Sequence, residues 1–144
     1  EDAEDSHSKK VRRQIESDDP DLVKLDIGHG NYLPHDDNWN RDGRSIGRNT
    51  HLRKLTLSHV PGAVGKEDFE KFFRGLAASR SIKKLTLERC KLFDGKIFSI
   101  LLPFFKNNRN FRCLEIASCV EIVDHGLRNV CFSLLAKALA EFNS

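Results

Sequence analysis

The residues best suited to chemistry crowd one short stretch, HGNYLPHDDNW, where His29, His35, Asp36 and Asp37 have the types needed to ligate a metal or move protons. The spacing supports neither use. It matches no HExxH helix and no calcium loop, and its Gly, Asn and Pro residues mark a solvated connection. Four cysteines follow at Cys90, Cys113, Cys119 and Cys131, separated by 23, 6 and 12 positions. No CxxC pair exists to build a zinc knuckle or a redox centre, so reduced thiols of an intracellular, cytoplasmic protein are expected. No phosphate-binding Gly-rich loop and no GxSxG elbow occurs. The expectation is a protein that is not an enzyme and needs no cofactor or metal.

Charge is the stronger signal. The chain totals +3, but residues 1–40 hold 5 Lys/Arg against 11 Asp/Glu, a net of −6. Residues 41–112 hold 17 against 6, a net of +11, and residues 113–144 hold 2 against 4. Segregation on this scale concerns partners and intramolecular pairing rather than fold. The apolar runs around 97–105 and 130–135 are too short to span a bilayer. The first residues, EDAEDSHSKK, are acidic and polar, unlike a signal peptide.

The elements that position these charges come from a repeat. LVKLDIGHG begins at Leu22, LRKLTLSHV at Leu52, IKKLTLERC at Ile82 and FRCLEIASC at Phe111, spaced 30, 30 and 29 residues apart. Each block follows L-x-x-L-x-L-x-x-N/C, with Gly30, Val60, Cys90 and Cys119 in the last place. Such a pattern is the mark of a solenoid. Between blocks, Trp39, Phe69 and Phe98 fall in register, as do Ile46, Leu76 and Phe105. EDFEKFFRGLAAS sets Phe69, Phe72, Phe73 and Leu76 on one helical face. KIFSILLPFFKNN does the same with Ile97, Ile100, Leu101, Phe104 and Phe105, interrupted at Pro103, where a kink or a short helix is expected. A last helix is expected from an Asp124 N-cap, with Leu127, Val130, Leu134, Leu135, Ala138 and Leu139 inward and Cys131 packed among them. The first connection, rich in Gly, Asn and Asp, predicts loop and at most a short helix. Residues 1–10 predict disorder and 11–21 a partial cap or the remnant of an earlier helix, with Val11 and Ile15 at helical spacing. Together, residues 1–21 form an acidic N-terminal segment and residues 22–144 about four repeats. No polar cap follows Phe142, so the array is expected to extend further.

These blocks resemble leucine-rich repeat proteins of the ribonuclease-inhibitor-like type, over residues 22–142. The resemblance implies an α/β leucine-rich repeat solenoid: curved right-handed strand-helix repeats, a parallel concave sheet and convex helices. It places the Cys90 and Cys119 side chains inward, bonded to backbone of the neighbouring turn, while Gly30 and Val60 depart from the pattern. Some relatives of this type activate small GTPases, which offers enzyme regulation as an alternative function.

On such a frame the second block position carries Val23, Arg53, Lys83 and Arg112, and the third carries Lys24, Lys54, Lys84 and Cys113. Stacked about 5 Å apart, Arg53, Lys54, Lys83, Lys84 and Arg112 would form a basic stripe, with His59 and Arg89 extending it at the sheet edge. Cys113 is expected to be an exposed thiol. The fifth position, Asp26, Thr56, Thr86 and Glu115, separates its carboxylates by three strands, about 14 Å. That is too far for paired-carboxylate hydrolysis. The stripe suits an acidic protein partner. Nucleic acid is a lower alternative, because the strands carry no aromatics for base stacking. A solvated face of splayed lysines needs no partner at all. The acidic N-terminal segment could also fold over the basic middle and screen it.

Overall fold

The computed structural model describes residues 6–28, 30–34, 38–60, 65–91, 96–123 and 126–129. Four strands, β1 (Lys24–Gly28), β2 (Lys54–Ser58), β3 (Lys84–Glu88) and β4 (Cys113–Ala117), form a parallel sheet in that order. Their register follows the repeat: Lys24 opposes Lys54, Lys54 opposes Lys84, and Lys84 opposes Cys113. A one-residue slip would turn the leucines outward, and the central block leucines hold it. Leu25, Ile27, Leu55, Leu57, Leu85 and Leu87 are all buried. They share one core with Trp39, Phe69, Phe72, Phe73, Phe98, Phe104 and Phe105 from the intervening helices. The fold is therefore strand-helix alternation around one apolar layer.

The helices between strands are α2 (Trp39–Arg48), α3 (Lys66–Leu76), α4 (Lys96–Ile100) and α5 (Leu102–Asn107). In α3, Glu67 and Asp68 occupy the first turn and Arg74 the last, matching the helix dipole. The expected kink lies between α4 and α5. Pro103 has no N–H for the Ser99 carbonyl, and the ladder resumes only with the Phe105 amide on Leu101 O at 3.0 Å.

Three expectations need correction. The first connection holds a full ten-residue helix, α2, where at most a short one was expected. Its glycines are helix-packing residues. A Cβ on Gly43 would collide with Phe72 O, one on Gly47 with Gly75 O, and one on Gly75 would sit 2.5 Å from Arg44 N and Gly43 C. The α2 and α3 backbones therefore touch, and the aromatic pair Trp39–Phe72 closes the contact edge-on at 5.5 Å.

Second, Ser6–Lys10 belong to a helix, α1 (Ser6–Ser17), rather than to a disordered tail. Burial of Val11 and Ile15 anchors the helix, which extends one further turn toward the N-terminus. Third, Leu127, expected inward on a last helix, lies in a strand instead. Val120–Val123 (β5) and Gly126–Asn129 (β6) form an antiparallel hairpin. The β-branched run VEIV favours a strand. Cys131, Val130 and the remaining residues of that expected helix lie outside the described residues.

Candidate functional site

The exposed sheet face is built from alternate strand residues, whose partners face the core. One column reads Lys24, Lys54, Lys84 and Cys113, and the next Asp26, Thr56, Thr86 and Glu115. Lys54 is exposed and Cys113 half-buried. The column is not uniformly positive. Lys84 Nζ lies 3.3 Å from Glu115 Oε2, and Thr86 Oγ1 donates to Glu115 Oε1 at 3.4 Å. Glu115, expected only as the end of a hydroxyl column, neutralises the third lysine. Among the described residues, Lys54 has no such carboxylate.

The remaining basic residues separate to the two ends of the strands. At the exit, Arg89 Nη1 donates to His59 Nε2 at 2.8 Å. Arginine has no acceptor to offer, so this bond places the imidazole proton on Nδ1, which faces Ser58 Oγ at 3.1 Å. His59, Arg89 and Ser118 all adopt positive φ, 54°, 52° and 55°. The eighth block position is thus a left-handed turn in each of these repeats, although none of the three is Gly or Asn. No sequence signal announced it.

At the strand entry, the second-position residues continue the ladder through backbone alone. Arg53 N donates to Val23 O, Lys83 N to Arg53 O and Arg112 N to Lys83 O, at 2.8, 2.7 and 2.8 Å. Arg53 Nη1 turns to Thr50 O at 3.0 Å and Arg112 Nη1 to Arg109 O at 2.7 Å. Arg53 and Lys83 line a cleft of about 410 Å³ with Arg48, Arg80, Asn49, Thr50, Ser81 and Asn110. Arg48 and Arg80 were missed as site residues. The available signal was a basic residue within four positions ahead of a block, which Arg48, Arg80 and Arg109 all satisfy. The single stripe expected from sequence is therefore three groups: entry, face and exit.

The cysteines behave as backbone partners. Cys90 Sγ donates to Leu57 O at 3.4 Å, and Cys119 Sγ to Leu87 O at 3.3 Å. The adjoining Cys119 sulfur, and then burial, push the Cys90 thiol up, so it stays protonated. Cys90, Cys113 and Cys119 are free thiols.

The described part of the acidic segment is engaged at the first repeat. Asp18 accepts from Thr50 N at 2.8 Å and Thr50 Oγ1 at 2.6 Å, and lies 3.2 Å from His51 Nδ1. The Thr50 hydrogen bonds hold its carboxyl below the usual range. Glu16 faces Arg41 at 3.8 Å. Among the described residues, no ion pair joins this segment to Arg53, Lys54, Lys83 or Lys84.

Asp42, on α2, was read as part of a polar loop but is fully buried, accepting from Tyr32 Oη at 2.6 Å. Burial raises its pKa, opposed by the Tyr32 hydroxyl and by Arg41 and Arg12. Among the described residues, no cluster of three or more His, Cys, Asp or Glu could hold a metal ion. His29, His35, Asp36 and Asp37 lie outside the described residues. No described helix is long and apolar enough to cross a membrane.

No family model matches the chain, and no curated protein matches it. Among solved structures it is similar to leiomodin-1 actin-binding site 2, at 13% identity with a TM-score of 0.66. That likeness covers 96% of this chain and 75% of the other. The fold is leucine-rich-repeat-like. The parallel strand-helix alternation and the in-register block leucines are the features that carry this assignment.

Proposed function

We propose that this chain is a non-enzymatic protein-binding module, a ribonuclease-inhibitor-like leucine-rich repeat solenoid whose concave sheet docks an acidic protein partner. The observation that carries the reading is the in-register column Lys24, Lys54, Lys84 on the exposed face. Like charges stacked on adjacent strands oppose sheet formation, and an acidic partner would relieve that repulsion. His59 and Arg89 would border the docking surface at the strand exits, and Arg53, Lys83 and Arg112 at the entries. The structural neighbour is an actin-binding site of leiomodin-1, which supports protein binding on this type of frame and makes actin the first partner to test. Three free thiols fit a reducing, cytoplasmic setting.

The test compares binding of monomeric actin and of a polyglutamate peptide to the whole chain and to Lys54→Glu/Lys84→Glu, at low and moderate salt. Charge-complementary docking predicts tighter binding at low salt and at least about tenfold loss in the double variant, chiefly through slower association. Equal binding by both proteins at both salt levels refutes the sheet-face reading.

A further inference from the structure

The entry cleft carries more positive charge than folding of these turns requires. Arg48 ends α2 and Arg80 follows α3, at carbonyl ends where a cation complements the helix dipole. Arg53 and Lys83 come from the strand side and have no helix end to answer. All four line one cleft, and its lining contains no carboxylate. Of the neutral polar side chains there, Thr50, Ser81 and Asn110 donate within the protein, whereas Asn49 Nδ2 is buried without a hydrogen-bond partner. Thr50 Oγ1 donates to Asp18, Ser81 Oγ donates to Asn49 O at 3.0 Å, and Asn110 Nδ2 donates to Arg80 O at 2.7 Å. Apart from Asn49 Nδ2, the unspent donors are therefore cationic.

Two of the guanidinium groups are also held in place. Arg53 Nη1 is fixed on Thr50 O and Arg80 Nη1 on Asn107 O at 3.2 Å. Each bond uses one of the five guanidinium N–H donors, leaving the others for a ligand at little further ordering cost. Planar forks fixed in this way suit the oxygens of phosphate. Four cations call for an anion of comparable charge, and one phosphate group supplies only about −1.5 to −2. The volume, about 410 Å³, lies in the range of small-molecule clefts.

We propose that the strand-entry cleft binds a compact soluble polyphosphate, an anion carrying at least two phosphate groups, held by Arg48, Arg53, Arg80 and Lys83. This site goes beyond the docking surface and does not rest on it, because Lys54 and Lys84 take no part. Either proposal can fail while the other stands.

Calorimetric titration of the whole chain at ~150 mM salt, where long-range surface attraction is screened, tests it. The probes are tripolyphosphate and inositol hexakisphosphate, with inorganic phosphate as the single-group control. The expected result is binding of the polyphosphates at least about tenfold tighter than inorganic phosphate. Arg53→Gln/Lys83→Gln should weaken it by about tenfold or more, as should Arg48→Gln/Lys83→Gln, which leaves the Arg53–Thr50 turn bond intact. Lys54→Gln/Lys84→Gln should leave it within about twofold. Equal loss in the cleft and face variants would show only a diffuse field and overturn the proposal. So would equal affinity for inorganic phosphate, or no binding at ~1 mM probe. Capture by vesicles containing phosphatidylinositol bisphosphate, without binding of the soluble probes, would assign the cleft to a membrane surface and overturn it too.

Discussion

Adding a single carbon at Gly75 tests the helix layer directly. In an exposed helix, Gly→Ala stabilises by up to about 1 kcal/mol, because alanine has less chain entropy to lose. At Gly75 the new Cβ would lie 2.5 Å from Arg44 N and from Gly43 C, about 0.9 Å short of the 3.4 Å at which ordinary contact begins. Both obstacles are backbone, so no side chain can swing away. The α2–α3 pair must open by roughly 1 Å, a gap that forfeits a quarter to a half of each contact's attraction and loosens the Trp39–Phe72 pair. Overpacking costs typically about 1–3 kcal/mol, and the weakened aromatic pair adds up to ~1 kcal/mol. After the propensity gain, the expected net loss is about 2 kcal/mol, or roughly 6–8 °C in Tm for a chain of this size. Urea unfolding followed by the fluorescence of Trp39, the sole tryptophan, reads this out from within the contact. Gly65→Ala is the control, since its Cβ would meet nothing within 4 Å; as the N-cap of α3 it should cost no more than about 1 kcal/mol. Gly43→Ala with Gly75→Ala should cost less than the sum of the two, because either one already parts the helices. A Gly75→Ala protein that is more stable than wild type would refute the backbone contact.

Two carboxylates set opposing pH responses. Asp42 has its pKa raised by burial, so its contribution is fully present below the ordinary carboxyl pKa and is lost as pH rises through the folded value. Asp42→Asn should therefore stabilise at neutral pH, a gain that closes as the buffer is taken toward pH ~4; urea midpoints across pH measure it, and a loss at neutral pH contradicts the burial argument. Asp18 has its pKa lowered by Thr50, so its contribution is present above the ordinary carboxyl pKa and is lost as pH falls through the folded value. Asp18→Asn should expose α1 amides to faster hydrogen exchange at neutral pH and converge with wild type in acid; unchanged exchange would mean that Asp18 does not hold α1 to the Thr50 turn.

The sheet was legible in the sequence because strand registry is a periodic property. Blocks 30, 30 and 29 residues apart, with leucines at fixed places, leave one arrangement that buries Leu55, Leu85 and their equivalents together. The helix layer was less legible. Gly43 and Gly47 are loop-formers by propensity, and only the backbone of α3 against them makes them helix-packing residues. A helix is expected after an Asp124 cap, but Gly126–Asn129 pairs as a strand with the β-branched run Val120–Val123. The site was half legible. The lysine column follows from the blocks, but Glu115 enters it diagonally from the next strand. The entry cleft assembles Arg48 from the end of α2 and Arg80 from the turn after α3, where the block pattern assigns no charge.

The glycine contact between α2 and α3 also limits how this array can be recombined. On the strand side the repeats are interchangeable: excising residues 52–81 would bring Ile82 after His51 and set Lys84 opposite Lys24 without a change of register. The helix side does not allow it. The excised unit contains Gly75, and residues 96–107 of α4 and α5 contain no glycine to replace it. Gly43 and Gly47 would then face a helix that cannot approach closely. Duplication or loss of repeats in this chain should therefore move the second and third helices as one inherited block, even though the strands alone would permit a cut between them.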